Sequence, residues 1–150
     1  MGKYREYFEC DCCGYKTLEE GGGGSYEICY LCRWEDEITS SFFFTDEVIG
    51  GANFDYSLKE ARENFRKYFI MYRIADPERY FSIFSDIIEV KKKIMQILDT
   101  IEHFASHKEL SSSLELEYLK LKLAMQELDE AEDKIEYRIN RRTGKIVKKK

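Results

Sequence analysis

Between residues 80 and 135 apolar side chains return every third or fourth position. Tyr80, Phe84, Ile87, Ile94, Leu98, Ile101 and Ala105 form one stripe, with Lys91 as its one polar interruption. Leu114, Tyr118, Leu121, Met125, Leu128, Glu132 and Ile135 form a second. A 3–4 repeat puts these positions on one face of a helix, so the pattern predicts two helices of about 25 residues. Joined by "SHKELSSS", they pack as an antiparallel, coiled-coil-like hairpin. The first is predicted to start at Asp76-Pro77-Glu78, which offers an N-cap, a proline at the first helical position and an acid in the first turn. The second starts near Ser112, with Glu115 closing a capping box. Phe81, Ile83, Ile88, Met95, Ile97, Leu116, Leu119 and Leu123 widen the seam beyond what two helices cover. Cover from another helix, or from a second copy in a homodimer, is expected.

Residues 57 to about 72 read as a shorter helix, with Leu58, Ala61, Phe65, Tyr68, Phe69 and Tyr72 at helical spacing. Ser57 and Glu60 make an S-x-x-E capping box. The "GGAN" ahead of it reads as a turn whose glycines permit close backbone approach. Toward the N-terminus the pattern changes. "KYREYFEC" and "SYEIC" read as two strands, and "EEGGGGS" as a flexible turn between them.

Those strands lead into the cysteines. Cys10 and Cys13 form one C-x2-C pair, Cys29 and Cys32 another, and 15 residues separate the pairs. Two such knuckles aim four thiolates at one point, the spacing of a zinc ribbon. Four soft ligands suit Zn2+ or ferrous iron, and zinc is preferred because no redox partner is apparent. Disulfides are the competing reading, disfavoured in a reducing compartment. Gly14 stands where a knuckle needs a residue free to take φ > 0, whereas the second knuckle has Arg33 there. Cys12 is a fifth cysteine inside the first knuckle. It reads as a small structural residue, with a role as alternative ligand or reactive thiol left open.

Charge divides the chain. The last fourteen residues, "YRINRRTGKIVKKK", hold seven basic residues and no acid. With those removed from a net charge of −5, residues 1–136 carry −12. An acidic body disfavours extensive phosphate contact and attracts basic partners. The basic end reads either as a short hairpin around Thr143-Gly144 or as a tail. Glu35, Asp36 and Glu37 after Trp34 read as a solvated acidic edge suited to a basic partner. Phe42, Phe43 and Phe44 cannot all face one side of a strand, so they are candidates for partner binding. His103 and His107 lie i, i+4, but without an H-E-x-x-H pattern they read as helix C-terminal residues meeting the dipole. No apolar run approaches the roughly 18 residues of a membrane span. The opening residues lack an apolar signal segment, and the chain reads as cytoplasmic.

"CDCCGYKTLEEGGGGSYEICYLCRWEDE", followed by "GGANFDYSLKEARENF", resembles the cysteine-rich CPCC family of small bacterial and phage proteins. The resemblance covers residues 7 to about 69. Asp11 and Tyr30 stand where the family has proline, so both knuckles lose a rigid φ. The family implies no defined activity, although some members resemble proteins of toxin–immunity gene neighbourhoods. Together these readings predict an α+β chain in three parts. Residues 1–74 form a zinc-ribbon-like module with one helix, 77–136 a helical hairpin, and 137–150 a basic tail. The expected function is a zinc-stabilised protein-binding module, such as an immunity protein neutralising a basic, nuclease-like toxin. A nucleic-acid-associated regulator using the ribbon and basic tail is the alternative. An enzyme comes third, because no catalytic site is assembled in the sequence.

Overall fold

The computed structural model describes residues 7–21, 23–38, 45–77, 84–107, 111–135, 137–140, 142–143 and 145–148, with backbone alone for 111, 137–140 and 146. The chain divides into two compact units, Glu6–Arg79 and Tyr80–Lys150 with Met1–Arg5. The architecture is α+β: a two-stranded antiparallel sheet beside a cysteine cluster, followed by three helices.

In the first unit β1 (Phe8–Glu9) pairs with β2 (Lys16–Leu18) in the registers Phe8↔Leu18 and Glu9↔Lys16. The expected strand in "SYEIC" reduces to a single bridge, Ile28↔Glu35. Tyr26 takes φ 58° and interrupts extended backbone there. Helix α1 (Leu58–Tyr68) starts as predicted, with Ser57 Oγ accepting the Glu60 N–H at 3.1 Å. It ends four residues earlier than the periodicity suggested, at a left-handed Phe69 (φ 61°). The reversal brings Met71 back to the second knuckle, where its N–H donates to the Cys32 carbonyl at 2.8 Å. Leu18, Leu31, Trp34, Tyr56, Leu58, Ala61, Phe65, Ile70 and Met71 form the core. Each large apolar side chain buried there stabilises by about 1.5–3 kcal/mol. A unit this small is marginal on its core alone.

In the second unit α2 spans Ser85–Ser106 and α3 spans Ser111–Asp133. The predicted start at Asp76-Pro77-Glu78 is corrected for the long helix: Pro77 takes a 3-10 conformation, but Phe84 is extended (φ −74°, ψ 133°) and α2 begins after it. Asp76 is engaged elsewhere, its carboxylate accepting the Tyr56 hydroxyl at 2.6 Å. Tyr80, Phe81 and Ile83 lie outside the described residues. The buried face of α2 is Ile87, Val90, Lys91, Ile94, Ile97, Leu98 and Ile101. Along α3 and just beyond it the face is Glu117, Leu121, Ala124, Leu128, Ala131 and Ile135, again stepping by four and three. This seam is rotated by one residue from the expected one at Glu117, Ala124 and Ala131, and the two alanines offer small side chains to the facing helix. Lys93 on α2 reaches Glu127 on α3 at 2.7 Å, as an antiparallel pair requires. Lys91, only 1% exposed, lies within the buried face. Leu116, Leu119 and Leu123 remain exposed.

The basic end is a hairpin. Strands β3 (Tyr137–Asn140) and β4 (Lys145–Lys148) pair from Tyr137↔Lys148 to Asn140↔Lys145. Among the described residues no helix is long and apolar enough to cross a membrane.

Candidate metal centre

The two C-x2-C turns are built alike. In the first, the Gly14 N–H donates to the Cys10 carbonyl at 2.8 Å and the Cys10 N–H to the Tyr15 carbonyl at 2.9 Å. In the second, Arg33 N–H donates to Cys29 carbonyl at 2.8 Å and Cys29 N–H to Trp34 carbonyl at 2.9 Å. The residue after the second cysteine is left-handed in both, Gly14 at φ 78° and Arg33 at φ 72°. The expectation that Arg33 makes a less ideal knuckle is answered by geometry: the turn closes in the same way, and Arg33 carries the strain.

These turns bring the sulfurs of Cys10, Cys13, Cys29 and Cys32 within 4.8 Å of one another. Cys10 and Cys32 are 3.5 Å apart, Cys13 and Cys29 3.8 Å. Metal–thiolate bonds of about 2.3 Å in a tetrahedron require sulfurs about 3.8 Å apart. All five cysteines are free thiols, so the disulfide reading fails. Donors point at the sulfurs: Thr17 Oγ1 is 3.0 Å from Cys29 Sγ, and the Trp34 backbone N–H lies 3.4 Å from Cys32 Sγ.

The thiols share their protons as one set. Burial opposes ionisation of Cys29, yet hydrogen bonds from Cys10, Cys13, Cys32 and Thr17 hold it well below the ordinary thiol value. Cys32 is pushed up, by burial first and then by its sulfur neighbours. Cys13 is pushed up by its hydrogen bonds to Cys10 and Cys29 and by burial. A bound dication would supply the positive charge that ionises the set. The donor set and spacing fit a four-coordinate metal ion.

A surrounding layer holds the knuckles in register. The Glu27 carboxylate accepts the N–H groups of Glu19, Glu20 and Gly21 at 2.9–3.0 Å, with the Ser25 hydroxyl at 3.1 Å. The glycine run is thus folded around an internal anion. A Cβ at Gly21 (φ 59°) would strike Phe8. Asp36 lies 2.6 Å from the Ser25 hydroxyl and accepts the Ser25 N–H at 3.1 Å. Glu37 accepts the Ala52 N–H. Gly51 has no room for a Cβ against that carboxylate. Asn53 accepts the Glu35 N–H and donates to the Glu35 carbonyl, both at 2.8 Å. "WEDE" and "GGAN" are therefore each other's partners. From α1, Arg62 Nε donates to the Asp11 carbonyl of the first knuckle at 2.9 Å. Asn64 donates to the Met71 carbonyl at 2.8 Å, fixing the segment tied to the second.

Two expectations about the site change. Asp36 and Glu37 are 2% and 5% exposed, so the solvated acidic edge is corrected: they satisfy backbone donors inside the unit, and only Glu35 is partly accessible. Cys12, 6% exposed, stands outside the four-sulfur set. Phe42, Phe43 and Phe44 lie outside the described residues. Glu27, Thr17 and Arg62 were not singled out in the sequence. A Glu two residues before a knuckle and facing a glycine run was the available signal for the first.

Two knuckles, a four-thiol cluster and a helix tied to both turns define a small knuckle-type metal-site module. Its family resemblance is specific: residues 8–75 match the family model described as Cysteine-rich CPCC. No curated protein and no solved structure matches the chain.

Proposed function

We propose that Cys10, Cys13, Cys29 and Cys32 hold one zinc ion and that the protein acts by binding another protein. The observation carrying this reading is how the family-matched segment uses its polar groups. Ser25, Glu27, Asp36, Glu37, Asn53, Ser57, Arg62 and Asn64 all bond within the unit. They build a scaffold, and a four-thiolate zinc is closed to substrate. Recognition then falls to exposed side chains. Tyr26 and Ile28 alternate along one segment, and both are exposed, as is Ile38. Aromatic and aliphatic anchors of this kind carry protein interfaces. The charge of −12 on residues 1–136 favours a basic partner, because opposite charge speeds association. An immunity protein covering the active site of a basic, nuclease-like toxin fits both features.

The test is affinity capture from the native host, followed by calorimetry with the purified partner. Ile28→Asp should weaken binding at least tenfold with metal content unchanged. A protein that captures none, and binds nucleic acid with a steep salt dependence, would hand the function to the regulator reading. The paired β3–β4 hairpin in the basic segment is what favours that second reading.

A further inference from the structure

The two histidines of the chain stand together, outside the cysteine centre. His103 and His107 are exposed at the C-terminal end of α2, with ring centroids 4.2 Å apart and planes 36° from parallel. The His107 ring is oriented by the helix. Its Nδ1 lies 2.8 Å from the His103 carbonyl and 3.2 Å from Ser106 Oγ. A carbonyl only accepts, so Nδ1 donates to it, and in the neutral ring Nε2 then holds the lone pair. This is how a ligating imidazole is prepared: one nitrogen bonded to the protein, the other free for metal. Among the described residues no hydrogen bond holds the His103 ring nitrogens.

We propose that His103 and His107 form a second, exchangeable site for a late first-row divalent ion such as Ni2+ or Zn2+. Imidazole suits these ions, and bonds of about 2.0–2.1 Å bring two nitrogens to about 3 Å apart. Rings already at 4.2 Å reach that spacing by small side-chain rotations. The C-terminal end of the α2 dipole places partial negative charge beside the cation. Two protein ligands leave coordination positions to water or to an external ligand, unlike the closed cysteine set.

The site is tested on the full chain with its cysteine-held metal in place, by calorimetric titration with Ni2+. One further equivalent per chain is expected, with the unfolding midpoint rising as Ni2+ is added. His103→Ala and His107→Ala should each weaken that binding at least tenfold. Both variants should keep the cysteine-held metal, since both positions are exposed. No further equivalent, or one that persists in the double variant, overturns the proposal. Half an equivalent accompanied by dimers in light scattering also overturns it, because the ion would then belong to two chains.

Discussion

The two knuckles make the same turn from different residues. Both use the same two backbone hydrogen bonds, and both end on a left-handed residue. In the first that residue is Gly14, which adopts φ > 0 without cost; in the second it is Arg33, which does not. The clamps differ too. The first turn is held by a side chain, Arg62 to the Asp11 carbonyl, and the second by backbone, Met71 N–H to the Cys32 carbonyl. The comparison teaches that the same hydrogen-bonded turn forms with glycine or with arginine at its left-handed position, as long as the rest of the unit supports it.

The harshest way to break the pair is to remove a ligand. Metal binding contributes about 10–16 kcal/mol in small structural zinc modules, as much as or more than the whole stability of an ordinary domain. Cys32→Ser and Cys13→Ser should both lose the metal and unfold the first unit. Native mass spectrometry should find one zinc per wild-type chain and none in the variants. Trp34, the chain's one tryptophan and 1% exposed, should shift its emission to the red. Cys12→Ser should keep both metal and emission. A folded, metal-free wild type, or loss of metal in Cys12→Ser, would overturn the assignment.

A smaller break lies in the loop between the knuckles. Glu27→Gln should destabilise by about 2 kcal/mol, since a charged acceptor of several N–H groups becomes neutral. Burial works against the Glu27 charge, but the N–H groups of Gly21, Glu20 and Glu19 and the Ser25 hydroxyl outweigh it and hold the carboxyl below its ordinary 4.5. A depressed folded value gives stability that is present above 4.5 and lost as pH falls below it, through the folded value. The difference in urea midpoint between wild type and Glu27→Gln should therefore be full at pH 7 and close on acidification below about 4.5. A constant gap would show that the loop does not depend on the charge.

What the sequence made legible follows from local rules. The C-x2-C spacing, Gly14 and the Ser57 cap each act within a few residues and appear where expected; the 3–4 repeat of the hairpin appears too, but its α3 face is shifted by one residue at Glu117, Ala124 and Ala131. The misses involve distant partners. Asp36 and Glu37 read as a solvated edge because charges usually are, yet their donors are Ser25 and Ala52. Asp76 read as the start of the long helix, yet α2 begins only after Phe84, and Asp76 accepts the hydroxyl of Tyr56. The apolar rhythm of α1 runs through Tyr72, but the helix stops at Tyr68, where left-handed Phe69 turns the chain so that Met71 bonds to both Cys32 and Asn64.

Gly14→Ala tests the first turn alone. A Cβ there meets nothing within 4 Å, so no clash contributes. The remaining penalty is the left-handed φ, about 1–2 kcal/mol. Urea unfolding of the metal-bound protein should report that loss with one zinc still bound. A loss well beyond it would mean that the turn has changed shape.

Arg33→Gly is the matching test of the second turn, with the opposite sign and the smallest size. At φ 72° Arg33 pays the left-handed penalty, and glycine would relieve it. Relief is partial, because glycine also widens the unfolded ensemble by about 0.4–1 kcal/mol. The net gain should be about 0.5 kcal/mol, read as a rise in urea midpoint at unchanged slope and unchanged metal content. Arg33 has an interaction beyond its knuckle hydrogen bond, so Arg33→Ala is the necessary companion. Alanine removes the side chain but keeps the strain. If glycine stabilises relative to alanine, the backbone angle is the cause. If both variants lose the same stability, the guanidinium matters more than the angle, and the two knuckles are less alike than their hydrogen bonds make them.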